Sequence, residues 1–267
     1  AVSRALEDHH IDALLVIGGY SAYEGIYTMM TERDRYPAFR IPTVCIPASI
    51  DNNLPGSELS IGTDTALNVI VEATDKIKES GIASRRCFVV ETMGRDCGYL
   101  ALMSGIAAGA ERIYTNEDGI SLDDLANDVH WLRESFAHGR RLFLAVRNEN
   151  ASHNYTTDFI ARLLEEESHG MYDVRQVVLG HMQQGGSPSP FDRLLANRLG
   201  YRALNLIDDE LAAHQDGSWF IGVNESGMRP CSMDTMPSLI DAAHRRPREQ
   251  WWLQLRTIAR MVSDEVR

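Results

Sequence analysis

Three loops of this sequence carry residue types that bind phosphate or activate a hydroxyl group, and each loop follows a short apolar run. Residues 49–53 read Ser-Ile-Asp-Asn-Asn, residues 92–98 read Thr-Met-Gly-Arg-Asp-Cys-Gly, and residues 181–184 read His-Met-Gln-Gln ahead of two glycines. A carboxylate beside a sugar hydroxyl can act as a general base, and an arginine at a helix N-terminus suits a doubly charged phosphate. The residue types together are compatible with a phosphorylated sugar as ligand.

Each loop also has a structural interpretation, which residue types alone leave open. The polar side chains of residues 49–53 could close their own loop as an Asx-turn network. Arg95 could pair with a nearby carboxylate, and a lone histidine such as His181 is more often a satisfied core residue than a ligand.

Two further segments are equally ambiguous. Residues 18–25, Gly-Gly-Tyr-Ser-Ala-Tyr-Glu-Gly, follow an apolar run and precede a helical pattern. They fit either an anion site at a helix N-terminus or a tight turn capped by Ser21. Arg245, Arg246 and Arg248 precede an aromatic segment, and they form either a solvated face or a lid over an anion.

Short apolar runs alternate with longer amphipathic stretches along the chain, which predicts an α/β fold with a parallel sheet between helices. Ligands bind such sheets at the carboxyl ends of the strands, where these loops begin. The predicted strands, buried on both faces, are 11–18, 43–46, 86–91, 141–147 and 174–179. The predicted helices are 63–80, 98–109, 122–138, 156–167 and 192–208, with another at the N-terminus.

The loops at 47–62 and 180–190 are rich in glycine and proline and are the predicted junctions between two lobes. The first lobe is expected to hold residues 1–62 and 183–235. The second is expected to hold residues 63–182 and 236–267.

Composition excludes several functional classes. The 267 residues carry a net charge of −12, which argues against a nucleic-acid partner. No apolar run approaches the ~18 residues of a membrane span. The four cysteines form no metal-ligand spacing, so we expect no metal site and a reducing, cytoplasmic location.

Five segments in order along the chain resemble the 6-phosphofructokinase family, and within it the C-terminal half of the double-length eukaryotic type. They are PASIDNNLPGSELSIGTDTALN, ETMGRDCGYLA, NENASHNYTTDF, VLGHMQQGGSPSPFDR and RPREQWWLQLR. The resemblance covers nearly all 267 residues. It implies a two-lobed phosphofructokinase-like fold in which the strands that open the first lobe, the nucleotide-type lobe, would precede Ala1.

The resemblance also assigns roles, and this chain departs from them at three positions. Where the bacterial members have an acid that helps to hold the Mg²⁺ of ATP, this chain has Tyr20. Asp51 occupies the position of the catalytic base, but a second acid of that loop is replaced by Asn53. Gln184 replaces an arginine of the catalytic halves. Mg²⁺ and ATP are therefore implied for the whole enzyme and not expected to bind this half.

In the family's regulatory half, the ancestral fructose 6-phosphate site binds the activator fructose 2,6-bisphosphate. The matching positions lie on the sugar-phosphate side and around it. They are Ser49, Ile50, Asp51, Asn52, Asn53, Arg86, Met93, Gly94, Arg95, Glu149, Arg175, His181, Met182, Gln183, Gln184 and Arg245. In the family, Arg86 and Arg175 correspond to positions that reach into a neighbouring half, which implies a tetramer-type homo-oligomer and a catalytic N-terminal half as partner.

The sequence thus predicts the regulatory half of an enzyme that converts MgATP and fructose 6-phosphate to ADP and fructose 1,6-bisphosphate. Two alternatives stay open. One is a half that still transfers phosphate with Asp51 as base, and the other is a non-catalytic assembly module with a vestigial pocket.

Overall fold

The computed structural model describes residues 1–81, 84–224 and 226–264. The helices are α1 (Val2–Asp8), α2 (Tyr20–Thr31), α3 (Thr63–Gly81), α4 (Tyr99–Ala108), α5 (Leu122–Ala137), α6 (Thr157–Glu166), α7 (Pro190–Ala212), α8 (Met236–Leu239) and α9 (Arg256–Asp264). The strands are β1 (Leu14–Gly18), β2 (Thr43–Pro47), β3 (Arg86–Thr92), β4 (Arg112–Tyr114), β5 (Leu142–Asn148), β6 (Asp173–Val178), β7 (Ser218–Asn224), β8 (Gly227–Ser232), β9 (Ile240–Asp241) and β10 (Arg246–Pro247).

The chain divides into two compact units. Unit 1 holds residues 1–63 and 188–250, and unit 2 holds residues 64–187 and 251–267. The expected lobes placed 183–187 in the first lobe and 236–250 in the second, whereas the structure places 183–187 in unit 2 and 236–250 in unit 1. Residues 236–250 belong to unit 1 because Met236 and Ile240 are buried in the same apolar cluster as Tyr23 of α2.

Unit 1 is built on a four-stranded sheet in the order β1-β2-β7-β8. The first three strands are parallel and β8 returns antiparallel to β7. Helix α2 packs on one face through Tyr20, Tyr23 and Ile26. Helix α7 packs on the other face, with Leu195, Leu199 and Ala203 against Val44 and Ile46 of β2.

Unit 2 is built on a fully parallel sheet in the order β4-β5-β3-β6. Helices α5 and α6 bury Leu132, Phe136 and Ile160 against the inner strands. Helix α5 begins with a capping box in which the Ser121 and Asp124 side chains each accept the other's backbone N–H. Both sheets confirm the predicted α/β architecture of parallel strands flanked by helices.

Two expectations about local structure were wrong. Strands β1 and β6 are not buried on both faces, because each lies at the edge of its sheet; Ile17 of β1 is 64% exposed. Ser21 does not cap the helix after β1. Gly19 is the N-cap and Ser21 lies inside the first turn of α2. Within the described residues, no helix is both long enough and apolar enough to span a membrane.

Candidate functional site

The loop after β2 in unit 1 is held together by its own polar side chains. Ser49 Oγ donates to Asn53 Oδ1 at 3.2 Å and accepts the backbone N–H of Asp51 at 3.3 Å. The amide nitrogen of Asn52 donates to the Glu58 carbonyl at 2.7 Å, and its oxygen accepts both the N–H and the hydroxyl of Ser60. Asn52 is buried with a positive φ of 52°. Its side chain therefore closes the loop, as the Asx-turn interpretation predicts for this residue.

Asp51 and Ile50 of this loop are both half-buried. Asn53 is buried, and its amide nitrogen donates to the Arg245 carbonyl at 3.0 Å. The loop and the segment around Arg245 are thus tied together inside unit 1.

The guanidinium of Arg245 is already occupied within unit 1. It lies 4.9 Å from the centroid of the Tyr20 ring and forms an ion pair with Glu24 at 2.5 Å. Tyr20 is 8% exposed, and this burial, with Glu24 next in effect, raises the pKa of its hydroxyl. A neutral phenol under a guanidinium offers no carboxylate to a divalent cation. Position 20 therefore does not fit the magnesium that the family resemblance places there.

In unit 2, three consecutive backbone N–H groups of the loop after β3 donate to side chains. Met93 N–H donates to Gln183 Oε1 at 3.2 Å. Gly94 and Arg95 N–H both donate to Glu149 Oε1, at 3.1 and 2.7 Å. The sequence predicted that Met93, Gly94 and Arg95 lie at a helix N-terminus, where an arginine suits a phosphate. In this structure the side chains of Glu149 and Gln183 accept the N–H groups of these three residues.

The backbone of this loop requires glycine at one position. Gly94 has a φ of +131°, and a Cβ there would lie 2.4 Å from the carbonyl oxygen of Cys97. Arg95 follows with a φ of 50°, and its side chain is exposed. The N–H groups of both residues therefore lie toward Glu149, while the Arg95 side chain is exposed to solvent.

Glu149 is placed by the end of β5 and by a buried arginine beneath it. Its N–H donates to the Thr92 carbonyl at 2.9 Å, and its carbonyl accepts from Arg147 Nη1 at 3.0 Å. Arg147 is 1% exposed and pairs with Glu91 at 2.8 Å. Glu149 Oε2 makes no hydrogen bond to any described residue and can accept one from a sugar hydroxyl.

The sequence interpretation missed Arg147. Burial lowers its pKa, and Glu91 opposes that shift. Its signal in the sequence was an arginine inside a strand predicted to be buried on both faces, where an unpaired charge would be unfavourable.

The turn after β6 exposes three of its side chains and buries one. Residues 180–184 form one stretch of 3₁₀-helix. His181 and Gln184 are exposed and Met182 is 55% exposed, whereas Gln183 is 1% exposed. The exposed residues of the turn are thus available to a ligand, and Gln183 is not.

Arg86 and Arg175 lie away from these loops. Arg86 is the first residue of β3 and donates to the Ser80 carbonyl at 3.3 Å. Arg175 lies on the edge strand β6, opposite Phe88, with its side chain 54% exposed. The loop at 93–95 follows the other end of β3, about 20 Å along a seven-residue strand. Unit 2 therefore does not bring these arginines to the Met93–Arg95 loop.

A cavity of about 450 Å³ opens elsewhere in unit 2, between β4, α5 and α9. Its charged side chains are paired across it: Arg112 with Asp128, and Arg256 with Asp118. Nothing in the sequence interpretation pointed to it. Among the described residues, no group of three or more histidine, cysteine or acidic side chains is arranged to hold a metal ion.

Comparison with known proteins gives consistent matches. The family model described as Phosphofructokinase matches residues 1–207. The platelet-type ATP-dependent 6-phosphofructokinase of Rattus norvegicus is 41% identical over 272 residues, which cover 98% of this chain and 34% of that protein. The human muscle type is 41% identical over 273 residues, covering 98% and 35%. The chain therefore spans about a third of the length of the curated relatives it matches.

Solved structures agree with these matches. The phosphofructokinase structure from Saccharomyces cerevisiae superposes with a TM-score of 0.94 at 34% identity, covering 98% of this chain and 36% of that one. A pyrophosphate-dependent phosphofructokinase from Marinobacter aquaeolei superposes with a TM-score of 0.70 at 18% identity, covering 97% and 70%. At that identity the second match supports the fold alone.

Proposed function

Because this chain belongs to the phosphofructokinase family, we propose that it is the regulatory half of an ATP-dependent 6-phosphofructokinase and binds fructose 2,6-bisphosphate. The full-length protein would convert MgATP and fructose 6-phosphate to ADP and fructose 1,6-bisphosphate. The observation that carries this assignment is Tyr20, which is buried under Arg245 where the resemblance places a magnesium-binding acid.

The absence of a carboxylate at position 20 matters because phosphoryl transfer depends on a cation that neutralises the developing charge. The pKa of the Tyr20 hydroxyl is raised by burial, so the phenol stays neutral at physiological pH. We therefore assign recognition of a sugar phosphate to this half and assign its chemistry to another part of the full-length protein.

The exposed groups of unit 2 suit a phosphorylated sugar. His181 and Arg95 supply donors for phosphate, and Glu149 Oε2 supplies an acceptor for a sugar hydroxyl. Arg245, which belongs to unit 1, can itself bind a phosphate once it gives up its ion pair with Glu24. Arg86 and Arg175, which lie away from the Met93–Arg95 loop, would act on a neighbouring subunit in a tetramer.

A half that still catalyses is the second candidate, because Asp51 occupies the position that the resemblance assigns to the catalytic base and is half-buried. The test compares wild type with Asp51→Ala in the full-length gene product, following ADP formation at saturating fructose 6-phosphate. Our proposal expects kcat to be retained and activation by fructose 2,6-bisphosphate to weaken. Loss of most of kcat without any change in activation would support catalysis by this half instead.

A further inference from the structure

We infer that Gln183 is a positioning residue, which locks the 180–184 turn to the Met93–Arg95 loop so that both present their exposed groups to one ligand. This inference rests on the proposed function. Its structural basis is a pair of hydrogen bonds from one buried amide: Oε1 accepts Met93 N–H at 3.2 Å, and Nε2 donates to the Gly180 carbonyl at 2.8 Å.

The site of the Gln183 amide requires one hydrogen-bond acceptor and one donor, each at a fixed position. Met93 contributes an N–H and requires an acceptor, whereas Gly180 contributes a carbonyl and requires a donor. A carboxylate satisfies only the first requirement and a hydrocarbon satisfies neither. Because Gln183 is 1% exposed, any group left unpaired there would also lose contact with water.

The position of Gln183 explains how it can influence binding without touching a ligand. Its neighbours His181 and Gln184 are exposed and are assigned to the sugar phosphate, as is Arg95 on the facing loop. Glu149 already holds Gly94 and Arg95, so Gln183 completes the anchoring of three consecutive N–H groups. Without it, the turn and the loop would be free to separate, and their donors would have to be ordered at the moment of binding.

The inference is tested in the full-length gene product with Gln183→Leu and Gln183→Glu. The matched control is Gln176→Leu, an exposed glutamine on β6 whose amide donates to Asp158 at 3.3 Å. Two quantities are measured: hydrogen exchange at the Met93 amide without ligand, and the Kd for fructose 2,6-bisphosphate. We expect Gln183→Leu to speed exchange and to raise Kd about tenfold or more, with the control unchanged.

The Gln183→Glu variant distinguishes the loss of the hydrogen bond to Gly180 from a general packing defect. Burial raises the pKa of a carboxyl group placed there, so the group takes up a proton as pH falls from about 8 to about 5.5. The protonated acid regains a donor for the Gly180 carbonyl. The Kd of this variant, divided by that of wild type at the same pH, should therefore fall toward 1 on acidification. Dividing by the wild-type Kd removes the pH effects that the two proteins share.

The outcomes are distinct. Unchanged exchange at Met93 in Gln183→Leu overturns the inference, and so does faster exchange without a change in Kd. A pH-independent ratio for Gln183→Glu overturns it too, since a packing defect would not recover on protonation. If wild type fails to bind the sugar bisphosphate, the proposed function is wrong, and Met93 exchange alone then decides whether Gln183 holds the two segments together.

Discussion

The guanidinium of Arg245 lies 4.9 Å from the centroid of the Tyr20 ring, and the same group is paired with Glu24. Arg245 was predicted as a phosphate ligand and Tyr20 as the replacement of a magnesium-binding acid. Their contact links these two predictions: the ring that replaces a magnesium-binding acid also packs against the cation that would receive a phosphate. The Arg245 guanidinium is therefore held by two partners within unit 1.

This arrangement predicts that Glu24 competes with the ligand. Glu24→Gln removes the charge that holds Arg245, and should tighten binding of fructose 2,6-bisphosphate about two- to fivefold, the range expected for a half-exposed ion pair. The measurement is a calorimetric titration of the full-length gene product. Glu32→Gln is the control, because Glu32 pairs with Arg35 on the surface of the same unit. Weaker binding by Glu24→Gln would contradict the competition.

One carboxylate oxygen of Glu149 accepts hydrogen bonds from the loop, and we expect the other to accept one from the sugar. Glu149→Gln can keep an acceptor for Gly94 and Arg95 but turns an N–H₂ group toward the sugar. We expect exchange at those two amides to change little and Kd to rise about tenfold, as for a lost hydrogen bond to a charged group. Glu149→Ala should increase both. Equal affinities in all three proteins would show that Glu149 does not contact the ligand.

Arg147 should matter for stability more than any exposed arginine. Arg147→Met leaves Glu91 without its partner and should lower the free energy of unfolding by about 3 kcal/mol, as for a broken buried pair. Combining it with Glu91→Leu should recover part of that loss. Arg162→Met, which breaks an exposed pair with Asp158, should cost less than about 1 kcal/mol. Urea denaturation measures all four proteins. Similar costs for the two arginine variants would contradict the role of burial.

Cys45 should make stability pH-dependent at the alkaline end. Burial raises the pKa of its thiol from 9.0 to about 12, so the folded state holds the proton more tightly than the unfolded state. The resulting stabilisation is complete below pH 9 and is lost as pH rises toward 12. Wild type should therefore lose about 2 kcal/mol relative to Cys45→Ala between about pH 8 and about pH 10.5. Urea unfolding of both proteins at each pH measures this, and a constant difference would contradict it.

The sequence predicted three of the four inner strands (β2, β3 and β5) and the long helices, because their burial is visible as local pattern. It missed the inner strand β7, although Phe220 and Ile221 of that strand are buried. β2 is buried at all five positions and β3 at five of seven, which matches their apolar runs. Strand β8, Gly-Met-Arg-Pro-Cys-Ser, was not predicted, because it is held by pairing with β7 and lacks an apolar run of its own. The exposed faces of β1 and β6 follow from their places at sheet edges, which periodicity does not encode.

The contacts of the candidate site were likewise not predictable from local sequence pattern. Residue types and the family resemblance singled out Glu149 and Gln183 as candidate ligands. They did not predict that these side chains accept the N–H groups of the loop at 93–95. Neither signal pairs Glu24 with Arg245, because the partners are 221 residues apart. These contacts depend on the direction of each side chain, which the sequence does not give. Gln183 faces inward between His181 and Gln184, and only the folded turn reveals that.

Titration calorimetry of the full-length gene product with fructose 2,6-bisphosphate tests the central claim most directly, when wild type is compared with His181→Ala. We predict saturable binding by wild type, and loss of one binding event per chain in the variant, whose exposed histidine lies outside the packed core. Absence of heat from wild type at millimolar ligand, or identical isotherms for the two proteins, would contradict a sugar-bisphosphate site in this half.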